Sequence, residues 1–242
     1  MVRMKLAVLT DAHANLPALR AALAAIRREG CDAIYHIGDS IGIGPYPAEC
    51  LELLLAAPRM RLLMGNHDAW FAYGLPAPRP AWMSAGELEH HRWTHAQLAP
   101  SLRPALARWP YVLREDVGGV AVTFVHYGLA PSGRDFAPAI ANPDAADLDR
   151  LFVGETARLV FYGHHHPASD MQGRARYVNP GALGCAPAPL ARFIIVELDG
   201  RGGFTLRKCA VPYEDAALFR AFEQRQVPER AVIRRIFFGR DG

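Results

Sequence analysis

Asp11 and His13, Asp39, the run Asn66-His67-Asp68, His126 and the run His164-His165-His166 are the residues whose types and spacing could do chemistry. Taken singly, each has an ordinary explanation. An Asp or Asn after a strand is usually a turn or cap residue, and a lone His at a strand end is usually half-buried and satisfied. Together they form a mixed set of carboxylate, imidazole and amide donors. Such a set suits manganese, iron, zinc or nickel, whereas an all-oxygen set would suit magnesium or calcium. Two cations about 3.5–4 Å apart need an anionic bridge, and a carboxylate can supply it. A pair held in this way lowers the pKa of a water, orients it, and neutralises charge developing at phosphorus.

The elements that must bring these residues together follow from the apolar pattern. Leu6–Thr10, Ala33–Ile37 and Met60–Met64 read as short buried strands, with helices at Leu16–Arg28 and Pro47–Ala57 between them. This alternation implies parallel pairing with helices packed on the sheet. Further strands are expected at Tyr111–Arg114, Val120–His126, Ala157–Tyr162, Ala175–Val178, Ala191–Leu198 and Phe204–Ala210, several in hairpin-like pairs with turns such as Asp199-Gly200. Ser84–Leu106 reads as one helix, opened by Ser84 with Glu87 three residues on. Asp215–Gln226 reads as another. Phe71–Trp82 is expected to be a long surface connection over the site, and Arg230–Phe238 an edge strand or ill-defined tail able to pair with another chain. Nearly every donor then follows a predicted strand, at the carboxyl ends where open α/β sheets place their sites. The sum is two sheets with flanking helices in a single domain over 1–242.

The blocks Asp11-Ala12-His13, Gly38-Asp39, Gly65-Asn66-His67-Asp68, Val125-His126 and Gly163-His164-His165-His166, in this order, resemble those of the calcineurin-like metallophosphoesterases. Gly38 to Pro45 and Asn179 to Gly184 are similar to the bacterial phosphodiesterase-like branch. Any one block is weak, and the ordered set is specific. The resemblance implies a four-layer αββα sandwich of two mixed β-sheets flanked by helices. It implies that Asp11, His13 and His166 hold a first metal, that Asp39 bridges, and that Asn66, His126 and His164 complete a second site. His67 would then stand beside the substrate and assist the leaving group, oriented by Asp68. The implied activity is hydrolysis of phosphate esters, diesters above monoesters, by a metal-bridging water or hydroxide. Two divalent ions are implied, manganese first, with iron, zinc, nickel or magnesium as alternatives. Phosphomonoesterase activity is the rival reading. A non-catalytic interaction module, like the family's retromer subunit, is a further one, disfavoured because His67 and every ligand position are filled.

Two positions depart from the family pattern. His165 replaces the usual Thr and is a spare ligand, a substrate contact or a solvent-facing residue, the last being the first expectation. Ala14 stands where Gly is frequent, which matters only if that backbone needs positive φ. His90, His91 and His95 are expected to form a helix face covering the pocket. Trp70, Phe71, Tyr73 and Trp82 either wall a nucleobase or aryl group or pack their loop, and Arg79 and Arg134 are candidate phosphate clamps.

The remaining composition narrows the classes. The chain has 242 residues, 51% hydrophobic, enough for a sizeable core without disulfides. An excess of three positive charges helps attract an anion and does not indicate nucleic-acid binding. Cys31, Cys50, Cys185 and Cys209 include no C-x-x-C pair and read as small buried hydrophobes in a reducing compartment. The apolar run Val2–Thr10 is too short for a signal peptide, and no stretch is long enough to span a membrane. The expected setting is cytoplasmic, with a small phosphate ester, nucleotide-derived esters included, as the partner.

Overall fold

The computed structural model describes residues 3–240; residues 1, 2, 241 and 242, part of the expected domain span, lie outside the described ones. The chain runs β1 (Met4–Leu9), α1 (Leu16–Glu29), β2 (Ala33–His36), α2 (Pro47–Ala56), β3 (Met60–Leu62), α3 (Asn66–Tyr73), α4 (Ala85–Ala96), α5 (Arg103–Leu106), β4 (Val112–Val117) and β5 (Val120–Val125). It continues through α6 (Ala145–Leu151), β6 (Leu159–Phe161), β7 (Ser169–Gln172), β8 (Arg176–Asn179), β9 (Leu190–Leu198), β10 (Phe204–Pro212), α7 (Ala216–Gln224) and α8 (Arg230–Phe238). One sheet has the order β10-β9-β1-β2-β3 and the other β4-β5-β6-β8-β7. Both are mixed: β1, β2 and β3 are parallel while β9 is antiparallel to β1, and β5, β6 and β8 are parallel while β4 and β7 are antiparallel.

The two-residue period of a strand divides the core into layers. Leu6 and Val8 point between the sheets and meet Tyr35, Phe124, Phe161 and Ile194, with the Tyr35 and Phe124 rings stacked at 3.8 Å. Ala7 and Leu9 point the other way, onto Leu19, Ala22 and Ile26 of α1. On the far side, Val160, Tyr162 and Tyr177 pack against Leu148 of α6 and Phe152 just after it. The result is the four-layer αββα sandwich.

α1 shows how local sequence fixes an element beside the site. Asn15 caps it by accepting from the Ala18 amide at 3.1 Å, Pro17 sits in the first turn, and Gly30 ends it at φ +66°. The same Asn15 side chain donates to Gly184 O at 2.8 Å and to the Tyr213 hydroxyl at 3.0 Å. Removing this cap costs about 1 kcal/mol in helix stability and also unties the chain near the candidate ligands.

Several segments differ from the sequence-based expectation. Arg230–Phe238 is a helix, neither an edge strand nor a tail. Ile233 and Phe238 turn inward, and Arg230 and Arg234, four apart, both reach Glu223 of α7. Ser84–Leu106 is not continuous, because α4 ends at Ala96 and a 3₁₀ turn at Pro100–Leu102 precedes α5. Pro100 lacks the amide a continuing helix needs. The expected connection from Phe71 begins later, since α3 runs to Tyr73, and α6 and β7 lie where no element was expected. No described helix is long and apolar enough to cross a membrane.

Candidate metal centre

The candidate ligands converge where β1, β2, β3, β5 and β6 end. His13 Nε2 lies 3.0 Å from His166 Nε2 and 3.6 Å from Asp11 Oδ1, forming one cluster. His126 Nε2 lies 3.3 Å from Asp39 Oδ2 and 3.2 Å from Asn66 Oδ1, and His164 Nδ1 is 3.0 Å from the same amide oxygen, forming a second. Asp39 belongs to both: its Oδ2 is also 3.8 Å from His13 Nε2 and 3.9 Å from His67 Nε2. Potential ligand atoms of Asp39, His126 and His164 lie within 4.8 Å of one another, as do those of His13, Asp39 and His67.

The imidazoles are pre-oriented. Nδ1 of His126 is 2.9 Å from Ile37 O and that of His13 is 3.3 Å from Ile41 O. A ring nitrogen facing a carbonyl carries the proton, which aims Nε2 of each ring at the cluster as the atom able to ligate once deprotonated. Asp11 and His164 are joined by the His164 amide, 3.1 Å from Asp11 Oδ2, and Thr10 Oγ1 donates to the same oxygen at 2.7 Å. This donor set of two carboxylates, four imidazoles and one amide oxygen fits two divalent cations.

The backbone here is unusual. Asp11, His13, Ala14, Asp39, His164 and His166 all have positive φ, between 43° and 69°. A non-glycine residue in that region costs roughly 1–3 kcal/mol, so other contacts must hold it there. The loop after β1 supplies them: the amides of Asp11, His13 and Ala14 donate to Gly38 O, Asp39 O and Ser40 O, and the amide of Gly184 donates to Asp11 O. Position 14 thus does need the conformation glycine favours, and Ala14 adopts it under this restraint. Glycine is required more strictly at Gly42, φ +85°, where a Cβ would stand 2.3 Å from His67 Nδ1.

Charge in the cluster is strongly coupled to burial. Burial opposes ionisation of Asp11 and Asp39, but the neighbouring imidazoles outweigh it and hold both carboxyls below their usual range. Burial also disfavours protonation of His126, yet Asp39 wins and raises it to about 9. His164 and His166 are pushed down to about 4, by burial first and by a neighbouring imidazole second. Burial takes His67 well below its ordinary value, with Asp39 pulling the other way.

Other candidates fall less simply. The Asp68 carboxylate accepts from the Ser40 and Gly65 amides, both at 3.1 Å, and makes no hydrogen bond to His67 among the described residues. It braces the loop after β2 and the start of α3; burial first, and Asp39 second, raise it to about 7. His165 is half-buried: its ring stands edge-on to Tyr127 at 4.8 Å, and both ring nitrogens are buried without a partner among the described residues. His91 and Trp70 lie against the His67 ring at 5.0 and 5.1 Å, and Trp82 stacks on Trp70. Phe71 is core and the Tyr73 hydroxyl donates to Ala107 O, so these two pack the structure. Arg79 donates to Met83 O and Arg134 is exposed; neither lines the cleft beside His67.

Cys185 escaped the sequence reading as a candidate ligand. Its thiol lies in a common cluster with His13 and His166, although it also packs in the core under α7 and α8. Its place directly after the Asn179–Gly184 segment was the available signal. The other cysteines are free, with Cys31 and Cys50 buried and Cys209 half-buried.

Comparison with known proteins bears on this geometry. The chain is 29% identical over 181 residues to an uncharacterised protein of Methanocaldococcus jannaschii, a match covering 69% of this chain and 64% of that protein's length. A metallophosphoesterase from Sphaerobacter thermophilus is 26% identical, with a TM-score of 0.71 over 97% of this chain and 98% of that one. A hypothetical protein from Pyrococcus horikoshii shares the fold at a TM-score of 0.75 and 23% identity, covering 98% and 99%. Residues 4–201 match the calcineurin-like phosphoesterase superfamily domain, a span that holds every donor of both clusters and leaves only β10, α7 and α8 beyond it. The chain therefore belongs to the calcineurin-like phosphoesterase superfamily.

Proposed function

We propose that this chain hydrolyses a phosphate ester, preferentially a diester, at two divalent cations, manganese first among them. The observation that carries the reading is Asp39, one ionised carboxylate reaching imidazoles of both clusters, at 3.3 and 3.8 Å. Asp11, His13 and His166 would hold one cation, and Asn66, His126 and His164 the other, with Asp39 between. Cations held there would supply Lewis-acid activation of a water and neutralisation of charge on the phosphoryl oxygens.

The chain's own residues do the rest. The carbonyls of Ile37 and Ile41 hold the Nδ1 protons of His126 and His13, so each ring already aims Nε2 at the cluster and needs only to release the Nε2 proton on binding a cation. His67 Nε2, at the edge of the cluster, is placed to give a proton to the departing oxygen. An incoming phosphate anion favours the protonated ring that burial alone disfavours. Asp68 acts on His67 through the backbone it braces. The tilt to diesters rests on the Gly38–Pro45 and Asn179–Gly184 segments, which resemble the phosphodiesterase-like branch. We take the whole chain as one domain.

The test is hydrolysis of bis-(p-nitrophenyl) phosphate against p-nitrophenyl phosphate by metal-stripped protein reloaded with Mn²⁺. Metal-dependent turnover favouring the diester is expected. Preference for the monoester would make the chain a phosphomonoesterase, and no turnover of either with two ions bound would remove the enzyme reading.

A further inference from the structure

Beside His67 a cavity of about 280 Å³ opens between α4 and α8. One wall is apolar: Val232, Ile236 and Phe237 project from α8, and the Phe237 ring lies 5.6 Å from that of the candidate ligand His166. The opposite side carries His67 and His91, and the rim carries the carboxylates of Glu87 and Glu229. Ile236 is 63% exposed and Val232 37%, so apolar surface stays open to water directly beside the candidate metal centre. Apolar surface continuous with a polar cleft offers a ligand a face to bury.

We infer that this cleft receives the leaving group of the ester and selects one that is uncharged and presents a flat apolar face. The inference rests on the phosphoesterase reading and deepens it. Continuity identifies the occupant, because His67, the group placed to protonate the departing oxygen, is itself part of the lining. A phosphorus held at the two clusters directs that oxygen, and whatever it carries, into the space between α4 and α8. Charge narrows the class. No Lys or Arg is among the described lining residues, and both charged side chains there are acidic. A second phosphate, as in a polyphosphate or a nucleic-acid strand, would meet repulsion instead of a counter-ion. A ring gains contact with Ile236 and Phe237, and donors on its edge can reach Glu87 or Glu229. The volume lies near the lower end for small-molecule sites, which suits one ring system.

The test uses stable phosphonates in place of esters and reads binding by calorimetry on the full-length Mn²⁺-loaded protein. Phenylphosphonate is expected to bind about tenfold more tightly than methylphosphonate, the worth of burying one ring face. In the double variant Val232→Ser/Ile236→Ser, both positions exposed, that ratio falls towards one. A carboxylate on the phenyl ring weakens binding several-fold in the native protein, and Glu87→Gln/Glu229→Gln restores it. A phenyl-to-methyl ratio near one in the native protein, or a ratio unchanged in the serine variant, overturns the inference while leaving the metal centre standing. Failure of methylphosphonate itself to bind the loaded protein removes the phosphoesterase reading and this inference with it.

Discussion

The loops bearing the candidate ligands and the helices α4 and α8 face each other across the same opening, yet they are built on opposite principles. Left-handed non-glycine backbone, buried carboxylates and imidazoles, and amides zipped to carbonyls of neighbouring loops characterise the first. The second consists of two helices: α8 exposes Val232 and Ile236 and ties itself to α7 through ion pairs such as Arg230–Glu223, while α4 turns His90 and His91 inward. A centre built to place donors of two clusters close together cannot relax, so its strain is opposed by redundant hydrogen bonds. A wall that sorts substrates needs only shape and polarity. Substitutions should therefore act steeply on the loops and gradually on the helices.

The sharpest way to break that contrast is Asp39→Asn. Turnover should fall by on the order of a thousandfold, with fewer than two metal ions per folded chain by elemental analysis. Two ions retained would show that the bridge lies elsewhere. Next comes His67→Ala, expected to lower kcat by roughly 10²–10⁴-fold while the metal count stays at two. Metal loss instead would make His67 a ligand, as its distance to Asp39 would allow.

Gly42→Ala tests the strain argument without touching a ligand. Its Cβ would collide with the His67 ring at φ +85°, so a stability loss of about 1–3 kcal/mol is expected in denaturant titrations, with a further fall in kcat. An unchanged kcat would mean that His67 has room to move.

The smallest effect concerns the tie between the two regions. His90 Nε2 on α4 accepts the Ile43 amide at 2.9 Å, and burial lowers its pKa to about 3. The folded state thus prefers the neutral ring. This contribution is complete above pH 6.5, the ordinary histidine value, and is lost as pH falls from there towards 3. His90→Phe should flatten this part of the pH-stability curve and cost about 1–3 kcal/mol at pH 7 through the orphaned amide. A slope that survives the substitution would assign the acid sensitivity to other groups.

Much of this was legible in the sequence because strand ends and donors coincide. Leu6–Thr10, Ala33–Ile37 and Val120–His126 each carry their ligand at the end of a clear apolar run, so architecture and candidate site emerge from one pattern. What escaped depends on context outside the local pattern. Arg230–Phe238 alternates basic and apolar residues closely enough to pass for a strand, and only Glu223 and the floor beneath Ile233 favour a helix. The break in Ser84–Leu106 was marked by Pro100, but Ser84 and Glu87 gave the stronger signal at its start. The half-burial of His165 depends on Tyr127, which lies far from it in sequence and shields its ring. No periodicity reveals that Asp68 spends its oxygens on backbone amides.

One further property follows from where the two clusters sit. Asp11, His13, Asp39 and Asn66 come from chain following β1, β2 and β3, in one sheet, whereas His126, His164 and His166 follow β5 and β6 in the other. Each cluster draws donors from both sheets, so a bound cation acts as a rivet through the sandwich. Sheets that separate on unfolding must release their ions. At a free metal concentration a hundredfold above the dissociation constant, each independent site adds about 2.7 kcal/mol to the native state. Under the proposed function the reagent of catalysis would thus also be a fastening, and the melting temperature would double as a gauge of metal supply.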